Sequence, residues 1–129
     1  EAALAAPEIS AGGLYLGHLG ADRRVSARLE LLVRPDSPWQ ERAPVDTVYA
    51  LELYPELVWG VSSSLSVSMR SVVSPIDGSG LLVPGASWNP ADGLSLELFT
   101  PVQLGEDSDR FGWDRDGAIS VSAIVRYVY

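Results

Sequence analysis

Arg24-Val-Ser-Ala-Arg-Leu-Glu-Leu-Leu-Val-Arg34 is the stretch whose reading decides the fold. Val25, Ala27, Leu29, Leu31 and Val33 fall on one side of an extended chain, and Arg24, Ser26, Arg28, Glu30 and Arg34 fall on the other. A period of two belongs to a β-strand with one apolar and one polar face; a helix would repeat at three and four residues.

The same alternation recurs along the chain. Between Val58 and Val73, the apolar Trp59, Val61, Leu65, Val67, Met69 and Val73 oppose Gly60, Ser62, Ser64, Ser66, Ser68 and Arg70. Leu94, Leu96, Leu98, Thr100 and Val102 alternate with Ser95, Glu97 and Phe99. From Ile119 onward, Val121, Ala123, Val125, Tyr127 and Tyr129 alternate with Ser120, Ser122, Ile124 and Arg126. Weaker strands are expected over Gly13–Leu19, Val45–Tyr54 and Leu81–Trp88, the last carrying Pro84 as a local break. The expectation is an all-β chain, an antiparallel up-and-down meander of about seven strands over residues 11–129. Strands of nine to eleven residues suit a tilted membrane crossing better than a sandwich, where about five or six is usual.

Turn residues place short connections at Gly20–Asp22, Tyr54–Leu57 and Asn89–Gly93, and longer polar loops at Pro35–Pro44, Ser74–Gly80 and Gly105–Gly117. Alternating short and long connections are the habit of outer-membrane barrels, with short turns in the periplasm and long loops outside. Tyr54, Trp59, Trp88, Tyr127 and Tyr129 lie beside the short turns or the C-terminus, where an interfacial belt is expected, and Phe99, Trp39, Phe111 and Trp113 lie toward the opposite edge.

Composition narrows the function classes. A net charge of -8 speaks against nucleic acid, which needs a basic face. With no Cys, disulfides, thiolate chemistry and Cys-based metal sites are excluded. All nine basic residues are Arg, so a phosphate-loop lysine and a Schiff base are excluded too. His18 is the single histidine, and no Gly-x-Ser-x-Gly or His-Glu-x-x-His accompanies it, so no catalytic residue, metal ligand or cofactor is nominated and the chain is read as a non-enzyme. The acidic stretch 105–117 reads as a solvated loop, since Phe111 stands where an EF-hand would need a third ligand.

The last segment, Gly117-Ala-Ile-Ser-Val-Ser-Ala-Ile-Val-Arg-Tyr-Val-Tyr129, resembles the C-terminal β-signal of bacterial outer-membrane barrel proteins, with Val121, Ala123, Val125, Tyr127 and Tyr129 at the signal positions. The hairpins over Leu81–Leu104 resemble the closing strands of such porin-like barrels. The resemblance implies a Gram-negative outer membrane as location and the outer-membrane assembly machinery as a folding partner.

On this reading Val25, Leu29, Leu31, Leu65, Val67, Leu96, Leu98, Val121 and Val125 face the lipid bilayer, and Arg28, Glu30, Arg34, Glu52, Arg70, Glu97 and Arg126 face a lumen, because an Arg near the midplane on the lipid side would cost about 2–4 kcal/mol. The expected role is passive, as a channel or a scaffold in the wall. Counting strands back from a periplasmic C-terminus puts residues 1–10 outside the cell, as a loop or as an extra strand. The barrel would then be completed by other segments or subunits. The alternative is a soluble, secreted β-sandwich acting as a binding or adhesion module, its apolar faces buried against a second sheet.

Overall fold

The computed structural model describes residues 6–21, 23–41, 48–106, 109–112 and 119–128. Their strands are β1 (Ile9–His18), β2 (Arg24–Val33), β3 (Leu51–Gly60), β4 (Leu65–Ser74), β5 (Ser79–Ala91), β6 (Leu94–Phe99), β7 (Val102–Leu104) and β8 (Ser122–Tyr127). They form one antiparallel sheet in the order β1-β2-β3-β4-β5-β6-β8, with β7 paired to β5. β7 keeps the register of β6 against β5, since Gly85 faces Phe99 and Leu82 faces Val102. The two are thus one strand position interrupted at Thr100-Pro101. Among the described residues the sheet is seven positions wide and is not closed, because β1 pairs only with β2 and β8 only with β6.

The register carries one face intact across the whole width. In one row Gly17 faces Val25, Val25 faces Trp59, Trp59 faces Val67, Val67 faces Ala86, Ala86 faces Leu98, and Leu98 faces Ala123. Directly opposed residues share a face. Each pairing joins odd to odd, odd to even or even to even in a fixed way that keeps every apolar stripe beside the next, and the stripe reads as one surface.

Three connections differ from the sequence expectation. Tyr54-Pro55-Glu56-Leu57 is not a turn but the middle of β3, and the chain reverses instead at Val61-Ser62-Ser63-Ser64. The Ser62 hydroxyl makes that reversal possible by accepting hydrogen bonds from the N–H groups of Ser64 (3.3 Å) and Leu65 (3.1 Å). The residues expected to form one strand over Val58–Val73 are thus the end of β3 and most of β4. The faces survive this error because Gly60 pairs with Ser66, so odd residues still oppose odd ones. Likewise Ser74–Gly80 is a tight hairpin, Ser74 facing Ser79, with Pro75 and Gly78 (φ 74°) at its corners. Long connections remain at 34–50 and 105–121. Between β5 and β6 the turn shrinks to Asp92-Gly93, with a register shift between Trp88 and Ala91. Gly93 (φ 76°) is required there, since a Cβ would strike the carbonyl of Val128. Strand β1 starts earlier than expected, at Ile9, and the expected start of the third strand, Val45, lies outside the described residues.

Pro55 in an inner strand runs against the usual confinement of proline to edges and bulges. Arg34 N–H donates to the Ala50 carbonyl (2.7 Å), so even residues of β3 bond β2 and odd ones point to β4. Pro55 therefore lacks its donor toward β4. The β3–β4 pairing is interrupted there, between Leu53–Val73 and Glu56–Arg70. The Ser71 hydroxyl fills the gap by donating to the Pro55 carbonyl (3.2 Å). Pro84 in β5 has its free side toward the Thr100-Pro101 break, and Thr100 N–H donates to its carbonyl (3.0 Å).

Among the described residues no second layer covers either face. Among the described residues only Tyr49 and Ala50 are buried apolar residues, and both belong to the loop before β3, not to the sheet.

Candidate functional site: a two-faced wall and its charged rim

One face of the sheet is almost wholly apolar. It presents Val25, Leu29 and Leu31 on β2, Leu53, Leu57 and Trp59 on β3, Leu65, Val67 and Met69 on β4, Leu96 and Leu98 on β6, and Val125 on β8. Several of its side chains are left exposed: Leu29 is 51% exposed, Leu57 49%, Leu98 48%, and Val121, just before β8, 68%. A continuous apolar surface of this extent marks contact with lipid or with another protein. Trp59, Trp88 and Tyr127 cluster toward the turn end of this face, whereas Tyr54 lies on the other face, since the turn expected beside it does not exist. Tyr129 and Trp113 lie outside the described residues.

The opposite face gathers the charges. Arg28 and Glu30 on β2, Glu52 on β3, Arg70 on β4, Glu97 on β6 and Arg126 on β8 all share it by register, and Arg34 continues it beyond β2. Two ion pairs run across its middle: Arg28 Nη2 to Glu30 Oε2 at 2.6 Å, and Arg70 Nε to Glu56 Oε2 at 2.9 Å. Both are solvent-accessible, so each is worth at most about 1 kcal/mol. Glu56 was not singled out in the sequence, where it was read as part of a turn. Leu14, Leu16, Val58 and Val83 interrupt the polar character of this face. The hollows of the sheet, with volumes of about 400, 460, 400 and 590 Å³, open on it. A curved sheet collects hollows on its inner side, so the polar face is the concave one. His18, opposite Arg24, stands at the turn end of the fourth hollow.

At the end of the sheet where the Ser74–Ser79 hairpin and the two long connections lie, the concave face is closed down by a buried cluster. Glu52 is fully buried; its Oε2 accepts hydrogen bonds from Arg34 Nη1 (3.0 Å) and the Tyr54 hydroxyl (2.8 Å). Its Oε1 lies 2.6 Å from Arg110 Nε, and Arg34 Nε donates to Glu8 Oε1 (2.7 Å). The hydrogen bond to Glu8, above all, raises the Arg34 pKa beyond its ordinary value. Arg110 arrives from a loop tied down by its backbone. Its N–H donates to Asp77 Oδ2 (2.9 Å), the N–H of Phe111 donates to Ser79 Oγ (3.2 Å), and Ser79 Oγ donates to Asp77 Oδ1 (2.9 Å). Burial alone would raise the Asp77 pKa, but the hydrogen bonds from Arg110 and Ser79 outweigh it and hold the carboxyl below its ordinary value. The Arg110 guanidinium also sits 5.3 Å from the centre of the Phe111 ring.

Arg34 and Glu52 were expected on the polar face; the cluster that joins them to Glu8, Tyr54, Asp77, Ser79 and Arg110 was not. Part of the acidic loop read as solvated is thereby docked, since Asp109 to Gly112 are half-buried on the rim. Asp77-Gly78-Ser79 did carry a legible turn signal, but nothing local pairs it with a residue 33 positions away. Among the described residues no three His, Cys, Asp or Glu side chains gather as a metal site.

Register and side chains together define the class of molecule: an all-β antiparallel meander with one apolar and one polar face. No family model, curated protein or solved structure matches the chain.

Proposed function

We propose that this chain forms part of the wall of a bacterial outer-membrane β-barrel, serving as a passive channel or as a structural scaffold there. The observation that carries the reading is the segregation of side chains by register over seven strand positions, with the apolar set on the convex side and uncovered. A soluble protein would bury such a face, whereas hydrocarbon needs it outward. The four complete strands β1 to β4, of ten residues each, reach about 33 Å along their axes, or about 23 Å across a bilayer at a tilt near 45°. That is close to the roughly 25 Å apolar band of such barrels. The charged residues on the concave side would line the lumen, with Arg28, Glu30, Glu56 and Arg70 at mid-height and the Glu52 cluster narrowing one mouth. The segment 121–129, carrying Val121, Ala123, Val125, Tyr127 and Tyr129, would be the element read by the assembly machinery.

Reconstitution into phospholipid vesicles tests this directly. The protein should float with the vesicles, resist extraction by alkaline carbonate and gain β-structure only when lipid or detergent is present. A monodisperse, folded protein in plain aqueous buffer sinks the reading and leaves the soluble sandwich. Single-channel recording then separates channel from scaffold. Arg70→Ala and Glu97→Ala should shift ion selectivity in opposite directions if the polar face conducts, and absence of current in all three proteins leaves the scaffold.

A further inference from the structure

The two outer edges of the sheet run the same way. Every neighbouring pair is antiparallel and there are seven positions, so the first and seventh, β1 and β8, have the same direction. They cannot close on each other in an antiparallel ladder. The hydrogen-bonding side of each edge follows from the hairpins. Leu19 N–H donates to the Arg23 carbonyl (2.7 Å), so odd residues of β1 bond β2. The N–H and C=O groups of Ser10, Gly12, Leu14, Leu16 and His18 therefore point away from the sheet. On β8, Val128 N–H donates to the Gly93 carbonyl (2.8 Å) and even residues bond β6, which turns Ala123 and Val125 outward.

The side chains of β1 add a second observation. Like the inner strand β5, it carries no Arg, Asp or Glu, and it is apolar on both faces: Leu14 and Leu16, on the otherwise polar side, are 63% and 71% exposed, and Tyr15 on the apolar side is 64% exposed. Natural edge strands protect themselves with charge, proline or a bulge, and β1 has none of these between Ile9 and His18. It has the composition of an interior strand.

We propose that β1 is an inner strand of the complete protein, its outer side paired to an antiparallel amphipathic strand contributed by chain N-terminal to Ile9, and that an odd number of strands separates β1 from β8. The source follows from the topology: every adjacent pair in the meander is adjacent in sequence, so the neighbour of β1 is what precedes it. The chemistry of the neighbour follows from β1. It is apolar on the convex side, and on the concave side it is uncharged at the level of Leu14 and Leu16. The inference rests on the membrane-wall reading at one step only. A second copy could pair β1 to β1 antiparallel only when inverted, and a wall inserted from one side holds all its copies the same way up.

The full-length polypeptide, isotope-labelled in lipid nanodiscs, gives the test by amide hydrogen exchange and cross-strand nuclear Overhauser contacts. The amides of Ser10, Gly12, Leu14 and Leu16 should exchange as slowly as those of Gly13 and Tyr15, retarded on the order of a hundredfold or more against an unstructured peptide. Antiparallel Hα–Hα contacts should lead from Ala11 or Tyr15, whose Cα–H bonds point away from β2, to residues N-terminal to Ile9. Free exchange at these four amides overturns the proposal, as do contacts from β1 to Ala123 or Val125, which mean direct parallel closure. Contacts between differently labelled copies at β1 overturn it as well and assign the edge to a dimer. The membrane reading fails by a separate signal, folding in aqueous buffer. Protected β1 amides with N-terminal contacts in that state leave this inference standing.

Discussion

Replacing Leu29 by arginine places a charge at the centre of the apolar face. Leu29 is the sixth residue of β2, so four residues separate it from Val33 at one end and five from Arg24 at the other. At about 3.3 Å per residue and a tilt near 45°, it stands about 9 to 12 Å from either end of the strand. That is the middle of the hydrocarbon in the proposed orientation. A guanidinium there costs about 2–4 kcal/mol, and the same change at Val25, one residue from the end of β2, costs about 0–1 kcal/mol. A difference near 3 kcal/mol is a factor of roughly 150 in the folding equilibrium. Urea unfolding in phospholipid vesicles reads both variants against the parent. The side chain is half exposed with no protein over it, so in water the substitution would be a surface change worth no more than about 0.5 kcal/mol. A Leu29→Arg protein as stable as its parent, or a Val25→Arg protein equally impaired, refutes the orientation.

Glu52→Gln leaves Arg34 and Arg110 facing a neutral amide in a buried cluster, and stability should fall by about 3–5 kcal/mol; a drop below 1 kcal/mol by urea titration, or no faster protease nicking between residues 105 and 112, contradicts the view that this cluster docks the Arg110 loop. The Asp77 carboxyl has its pKa depressed by folding, so its contribution is complete above the unfolded value near 4 and disappears as pH falls through the lower folded value. Asp77→Asn should therefore lose stability at neutral pH and show a flatter decline on acidification below about pH 4; an unchanged slope in acid titration of unfolding counts against it. Pro55→Val restores a ladder donor toward Ser71 and should add about 0.5–1.5 kcal/mol, an expectation overturned if the thermal midpoint drops.

The faces were legible in the sequence because alternation is a local property: Leu29 and Arg28 are told apart by their neighbours alone. The position of a turn is less so. Pro55-Glu56 looked like a reversal and the four residues Val61 to Ser64 like strand, yet the outcome is decided by which residues find partners across the sheet. Pro55 is tolerated because Ser71 donates to its carbonyl, and the serine reversal is held by the Ser62 side chain. Only an even-sum register at Gly60–Ser66 kept the face assignments right despite the misplaced turn. The rim was illegible for a different reason. Glu8, Arg34, Glu52, Asp77 and Arg110 come from five separate places in the chain, and nothing in the spacing of isolated charges signals that they meet.

The prolines of the inner strands have a consequence outside the folded state. Leu51–Trp59 and Leu81–Trp88 are extended stretches rich in branched and aromatic side chains, the second without a charge, and stretches of this kind favour stacking between chains. Pro55 and Pro84 interrupt each of them near its centre, where stacked copies in a fibril would need an unbroken row of donors. Each forgoes one inter-strand bond in the finished sheet, and in return the extended chain resists self-templated stacking while it is still in water.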